Sequence, residues 1–337
     1  MSGTIRCPGD KSISHRALIF SALGSGRSRV RGVLQSEDVQ ATASALRRLG
    51  APLPPLSDDF SIDGVGVGEL RSPSGTLDCG NSGTTTRLLA GVVAGLDGRS
   101  ARFDGDASLR GRPMGRIAAP LTSMGARFEF GDVAGVAAPQ RLPMHVHGAG
   151  LRSIVWHSEH ASAQIKGAVL LAALVSGTEV EIHEPSRSRD HTERLLAVRG
   201  VSLQVRENRV HLAGAQSLRA LDVNVPADPS SAAFFAALAV MADEGEVRLT
   251  DVCLNPTRTG AFEVLHRMGA SVRFAEQRED GGETVGTVVA AASTLRGTRI
   301  GGAEIPRCID ELPLLACVAA RAEGETIITD ARELRVK

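Results

Sequence analysis

The sequence predicts an α/β protein (α+β in its β-β endings) assembled from repeated β-α-β-α-β-β units. Three observations carry this. A segment rich in Ala, Leu and Val, opened by small polar residues, recurs along the chain. Charged second helices end on a glycine at Gly50, Gly125, Gly200 and Gly269, the residue suited to the left-handed position after a helix C-terminus. A Leu-Arg pair recurs at Leu70-Arg71, Leu151-Arg152, Leu218-Arg219 and Leu295-Arg296, each time before the next unit's first helix.

Taken in order, the first helices are predicted to begin near Lys11, Asn81, Ser162, Ser230 and Cys308. Short β-branched strands follow at 29–33, 101–103, 179–182, 246–249 and 325–328. The second helices end at Leu49, Met124, Arg199 and Met268. Alternating residues then mark half-buried strands, as at 126–130 and 201–205. The unit is about 70 residues long and cannot close a core alone, so several must pack together. Four copies are complete and the fifth stops at Lys337, so the end of the chain is not expected to be a natural domain end.

At 337 residues, 42% hydrophobic and 23% charged, the chain has material for two cores. A net charge of zero excludes a general nucleic-acid footprint. Aromatics are 3%, with no Tyr and only Trp156 as Trp, which argues against base-stacking platforms. The five cysteines lack zinc spacing, and their odd count suits a reducing cytosol. The first ten residues have no apolar core for a signal peptide. The longest apolar run, 168–175, is too short to span a bilayer. Lysine is restricted to Lys11, Lys166 and Lys337, which singles out those positions.

Six phrases carry candidate chemistry. GDKSISHR (9–16) opens a helix with Lys11, Ser12 and Arg16; Ser12 and Arg16 share a face, and a hydroxyl, two cations and a helix start suit an anion. The alternative is a capped helix with solvated charges. DCGNSGTTTR (78–87) places two glycines and four hydroxyls before an apolar helix; three successive threonines are poor helix formers, which favours a phosphate or carboxylate site over a long cap. DGDASLRGRPM (104–114) lacks the Gly and closing Glu of a calcium loop, so no metal is expected, and Arg110 and Arg112 suit a carboxylate or phosphate. SAQIK (162–166) suits a polyhydroxylated ligand, since capping explains Ser162 but not Gln164. In SRSRDHT (186–192), Asp190 is expected to cap a helix, and no GxSxG accompanies it to make a triad. IPRCIDELP (305–313) puts Asp310 and Glu311 at the start of an apolar helix, either as dipole-stabilised carboxylates or as a general base. Helix starts at corresponding places in successive units can converge on one cleft. With Lys11, Arg16, Arg87, Arg112 and Arg189 they would make a site for more than one multiply anionic ligand.

Together the phrases GDKSISHRAL, GNSGTTTRLL, GDASLRGRPM, SAQIKGAVLLA, SRDHTE, DPSSAAF, NPTRTG, IDELPLLA and ELRVK closely resemble, in order and spacing and over essentially the whole chain, the 5-enolpyruvylshikimate-3-phosphate (EPSP) synthase family, in its bacterial class II wording. The resemblance implies a two-domain inside-out α/β barrel, with a first domain at 11–223 holding three repeats and a second at 1–10 plus 224–337. It implies a monomeric cytoplasmic transferase of the shikimate pathway that takes shikimate 3-phosphate and phosphoenolpyruvate, with no cofactor, metal, nucleic acid or membrane partner. It assigns Lys11, Ser12, Arg16, Ser162, Ala163, Gln164 and Arg189 to shikimate 3-phosphate, and Lys11, Gly83, Arg112 and Gln164 to phosphoenolpyruvate. Asp310 becomes the base for the 5-hydroxyl, with Lys337 its neighbour, and Lys11 shares the catalytic role by stabilising charge. Gly83 is the small residue typical of glyphosate-sensitive members. The family continues past ELRVK with a Glu, an Arg, a His-Arg pair and a Lys, so five of six repeats are begun here. A large activity loss is expected of a chain that ends at Lys337.

Two other readings compete. UDP-N-acetylglucosamine enolpyruvyl transferase shares the fold, but its reactive Cys has no counterpart in 108–113. A non-catalytic form that keeps only the shikimate 3-phosphate site is the second.

Overall fold

A computed structural model describes residues 2–131 and 140–335, and its backbone repeats one topology. The chain opens with β1 (Gly3–Ile5). The first repeat follows as α1 (Lys11–Leu23), β2 (Ser25–Arg31), α2 (Glu37–Arg48) and β3 (Asp59–Val65). The second is β4 (Leu77–Asp78), α3 (Gly83–Gly95), β5 (Ser100–Asp104), α4 (Ala107–Arg110), α5 (Gly115–Met124), β6 (Arg127–Phe130) and β7 (Met144–His147). The third is β8 (Ile154–His157), α6 (Ala163–Ser176), β9 (Val180–His183), α7 (His191–Val198), β10 (Leu203–Arg206) and β11 (Arg209–Leu212). After β12 (Val223–Asn224) come α8 (Pro229–Met241), β13 (Glu246–Cys253), α9 (Gly260–Arg267), β14 (Ser271–Asp280) and β15 (Glu283–Ala291). The fifth repeat contributes β16 (Arg299–Ile300), α10 (Ile305–Cys308), α11 (Leu312–Ala319) and β17 (Ile327–Ile328).

Three four-stranded sheets share one order: β4-β5-β7-β6, β8-β9-β11-β10 and β1-β13-β15-β14. In each, the first pair is parallel and the other two are antiparallel. The first repeat differs. Its parallel partner for β2 is β12, and β3 lies directly against β2. The stretch at 51–58 forms no strand, because Pro52, Pro54 and Pro55 remove ladder donors.

The chain divides into two compact units, Lys11–Asn224 and Met1–Asp10 with Val225–Lys337. In the first, α3 packs along α6, and α1 contacts α2, α3 and α7. Residues 165–175 of α6 are buried on every side, as a helix apolar all round but for Lys166 requires. In the second, α8 lies on β13 and β15 and contacts α11. Val240, Leu249, Phe262, Val288 and Leu312 centre its core. Phe234 and Leu238, one helical turn apart on α8, stay 57% and 51% exposed.

Some boundaries differ from those the sequence suggests. The strand expected at 29–33 is Ser25–Arg31, because Gly32 turns the backbone to a φ of 71°. The helix expected near Cys308 is broken into α10 and α11. Pro313 has no N–H for the carbonyl of Ile309 and restarts the helix at Leu312. Among the described residues, no helix is long and apolar enough to cross a membrane.

Candidate active site

In the unit Lys11–Asn224, the N-terminal halves of four helices adjoin. His15 on α1 shares a hydrogen bond with Thr42 on α2 (2.7 Å), and Thr42 with Thr85 on α3 (2.6 Å). Gln164 on α6 donates to Thr84 Oγ1 on α3 (3.1 Å). Each helix start brings uncompensated N–H groups and a positive dipole end.

A cationic cluster stands over Gly83. A Cβ there would lie 3.0 Å from Arg87 Nη1 and 3.3 Å from Arg112 Nη1. Arg87 donates to Gln164 Oε1 and to the Pro113 carbonyl (3.2 Å); Arg112 donates to Asn81 Oδ1 (2.7 Å). Burial, then the charges of Arg112 and Arg116, pull the Arg87 guanidinium down to about 10. Burial is the larger cause; the Arg112 and Arg116 guanidiniums add positive potential around Arg87, which favours an anion. Of the residues expected from sequence, Gly83, Arg112 and Gln164 thus come together. Asn81, which accepts from Arg112, and Arg116 on α5, whose charge reaches Arg87, join them; neither stands out as a site residue in the sequence, because local spacing does not reveal which polar groups fold back.

Lys11, half exposed, begins α1 and pairs with Asp38 of α2 at 3.1 Å. Arg16 is buried, its Nε donating to Thr192 Oγ1 (2.8 Å) and its Nη1 to the Ser12 carbonyl (2.9 Å). Arg16 is therefore locked between α1 and α7. Ser12 is half-buried beside it.

Ser162 caps α6, accepting from the Ile165 N–H, and Ala163 is the first helical residue. Glu184 accepts from the backbone N–H of Ser162 (3.1 Å) and of Ser188 (3.4 Å). Lys166, 2% exposed, bonds Glu184 and Glu193, each at 2.7 Å. One buried ion triad thus fixes both the α6 start and the loop carrying half-buried Arg189.

Several expectations are corrected. The threonines of 84–86 are occupied by the fold: Thr85 bonds Ser82 Oγ (2.7 Å) and Thr86 the Ser82 carbonyl (2.9 Å). Bonds back to Ser82, the residue that caps α3, therefore occupy two of them, and Thr84 accepts from Gln164. Arg110 holds Asp104 through two bonds of 2.8 and 2.6 Å, so it closes its own loop. Asp190 precedes α7 but makes no side-chain cap bond; Arg187 and Arg194 take its carboxylate instead, at 2.7 and 3.0 Å.

Asp310 belongs to the other unit. It is exposed in the turn 309–311 between α10 and α11, while its neighbour Glu311 is 3% exposed. Lys337 lies outside the described residues. Glu129, His145 and His147, on the open face of the β4–β7 sheet, bring ligand atoms within 4.8 Å of one another, but Arg127 already pairs with Glu129 at 2.7 Å.

A family model described as EPSP synthase (3-phosphoshikimate 1-carboxyvinyltransferase) matches residues 1–337. The chain belongs to the EPSP synthase family. Its similarity to individual members covers the whole chain. It is 46% identical over 340 residues to the 3-phosphoshikimate 1-carboxyvinyltransferase of Roseiflexus sp. strain RS-1, covering 100% of this chain and 77% of that protein. It is 44% identical over 337 residues to the enzyme of that name from Bacillus subtilis strain 168, with coverage of 100% and 77%. A solved EPSP synthase from Acinetobacter baumannii superposes with a TM-score of 0.89 at 40% identity, covering 100% of this chain and 75% of that one. The family's α/β fold is therefore shared in three dimensions as well as in sequence.

Proposed function

We propose that the Arg87–Arg112 cluster, the α1 start and the Asp310 turn carry out this family's reaction here. As an EPSP synthase family member, the chain is a 3-phosphoshikimate 1-carboxyvinyltransferase. It moves the enolpyruvyl group of phosphoenolpyruvate to the 5-hydroxyl of shikimate 3-phosphate and releases phosphate. Gly83 beneath two guanidiniums, with Gln164 hydrogen-bonded to one of them, is the observation that supports the phosphoenolpyruvate subsite. Fixed arginines suit its carboxylate and phosphate. Lys11, Ser12, Arg16, Ser162, Ala163, Gln164 and Arg189 take shikimate 3-phosphate. Asp310 and, by the family resemblance, Lys337 serve the hydroxyl.

The chemistry is addition followed by elimination. Asp310 takes the 5-hydroxyl proton as the oxygen bonds to the central carbon of phosphoenolpyruvate, and an acid protonates the methylene carbon. The tetrahedral ketal phosphate then loses phosphate while the methyl group gives back a proton. Lys11, Arg87 and Arg112 stabilise the charge that grows on the phosphate. A cytoplasmic monomer with no membrane partner is carried over from the family resemblance, and the balanced charge argues against a general nucleic-acid footprint; gel filtration tests the monomer.

Asp310→Asn tests the base. Turnover should fall about 10²- to 10⁴-fold while shikimate 3-phosphate binding by calorimetry persists; near-normal turnover sinks the assignment. Gly83→Ala tests the subsite. The new methyl would lie 3.0 Å from Arg87 Nη1, the far end of a side chain, so a small shift of that guanidinium accommodates it and the fold survives. The KM for phosphoenolpyruvate should rise roughly tenfold, the worth of about one charge-assisted hydrogen bond, and inhibition by glyphosate should weaken with it.

A further inference from the structure

Four of the recurrent phrases meet at one buried arginine that the reaction scheme leaves unused. Arg258, from NPTRTG (255–260), is 3% exposed. Its Nη1 donates to Asp10 Oδ2 at 2.7 Å, and Asp10 is fully buried. Its Nη2 reaches Asp228 Oδ1 at 3.2 Å and Ser230 Oγ at 3.0 Å, both in DPSSAAF (228–234). Ser230 passes the connection on, its hydroxyl donating to Glu311 Oε1. Burial works against the charge of Arg258, but Asp10 and Asp228 outweigh it and hold its pKa above the ordinary guanidinium value. It therefore stays a cation at every working pH.

Glu311 is the residue after Asp310. The turn 309–311 is held at its backbone by Glu311 N–H to the Cys308 carbonyl (3.0 Å), and Glu311 O accepts from the Leu315 N–H (2.9 Å). Its side chain links this turn to the α8 N-terminus. The loop bearing Arg258 is itself braced: Thr257 donates twice to Asn255 Oδ1 (2.8 and 2.7 Å), and Arg307 Nε reaches the Pro256 carbonyl (2.8 Å). Asp10 and Asp228 are braced too, by Asp10 N–H to Pro226 O (2.7 Å) and Asp228 N–H to Pro8 O (2.9 Å). A rigid anchor thus stands behind the one exposed carboxylate in the turn.

We propose that Arg258 is a positioning residue for Asp310, acting through Ser230 and Glu311 to fix the turn 309–311. This rests on the reading of Asp310 as the base. Proton abstraction needs the carboxylate within about 2.6–3.2 Å of the hydroxyl, and a misplacement of about 1 Å costs on the order of a hundredfold. A loosened turn would move Asp310 without touching any substrate-binding cation of the other unit.

Ser230→Ala removes the relay and little else. It should lower kcat about ten- to hundredfold, leave the KM for shikimate 3-phosphate within about twofold, and shift the acid limb of the kcat–pH profile. The Asp310 carboxyl titration, followed by carbon NMR without turnover, should shift as well. Ser230→Thr, which keeps the hydroxyl, should restore the rate, the profile and the titration. Arg258→Gln should resemble Ser230→Ala; if it fails to fold, the serine pair decides alone. Wild-type rate, profile and titration in Ser230→Ala, with Asp310→Asn inactive, overturn the proposal and leave the base in place. Normal turnover by Asp310→Asn overturns the base and the proposal together.

Discussion

Lys166 shows how a single residue changes meaning once its surroundings are known. Burial opposes its charge, but Glu193 and Glu184 outweigh burial and hold its pKa above the ordinary lysine value. Lys166→Met would leave two carboxylates buried without a cation, at a cost of about 3–5 kcal/mol in urea unfolding. Changing Glu184 and Glu193 to Gln in that background should recover part of the loss, and no recovery would count against the triad. The sign of the pH effect follows. A raised lysine contributes fully below its unfolded value near 10.5, and that contribution disappears as pH rises through the higher folded value. Wild-type stability should therefore fall above that pH, and the triple variant should fall less. Sequence singled out Lys166 for its rarity but not for this role, because its partners lie just after β9 and in the first turn of α7. Gly83, Arg112 and Gln164 were legible as residue types beside helix starts. What the spacing could not show was that Arg87 would sit between them, or that Arg110 would spend itself on Asp104.

At the scale of elements, helix endings were the most legible feature, because their chemistry is local. After α2, α5, α7 and α9 the same pair of bonds closes the helix: Gly50 to Arg47 O and Ala51 to Leu46 O, Gly125 to Thr122 O and Ala126 to Leu121 O, Gly200 to Ala197 O and Val201 to Leu196 O, Gly269 to His266 O and Ala270 to Leu265 O. The four glycines have φ between 88° and 122°, as this motif demands. The Leu-Arg pairs complete it. The N–H groups of Arg71, Arg152, Arg219 and Arg296 donate to the carbonyls of Leu49, Met124, Arg199 and Met268, at 2.8 to 3.1 Å. A repeated phrase in the sequence is thus a repeated cap in space. Close contact between helices was not legible, since it depends on partners about 80 residues away. A Cβ at Gly91 would lie 2.2 Å from Ala168 O, and one at Gly95 2.5 Å from Ala172 O, so α3 and α6 touch backbone to backbone. Gly91→Ala must push the helices apart. A loss of about 3 kcal/mol is expected, read as a lower denaturation midpoint; an unchanged midpoint would mean the seam yields freely.

At the scale of the whole molecule, the chain passes from one unit to the other at 10–11 and again at 224–225, and these crossings divide the sheets unequally. The unit Lys11–Asn224 is one continuous segment that carries β12, the parallel partner of β2. The other unit is discontinuous: β13 pairs in parallel with β1, at Gly3–Val247, Thr4–Arg248 and Ile5–Leu249, on the edge that β15 does not use. Repetition in the sequence announces equivalent units, yet it cannot tell which copy of a strand completes which sheet, because every first strand has similar chemistry. The asymmetry has a measurable outcome. Residues 11–224 expressed alone keep every strand of their three sheets and should unfold cooperatively in urea. Residues 225–337 alone leave the 246–249 edge of β13 unpaired, and also lose Asp10 from the buried carboxylates around Arg258. That segment should be loosely ordered, with fast amide exchange in β13. Supplying residues 1–10 as a peptide should slow exchange there, because the peptide restores both the ladder and the ion pair. Equal protection with and without the peptide would mean that β1 is an ornament of the sheet, and that Arg258 finds its balance without Asp10.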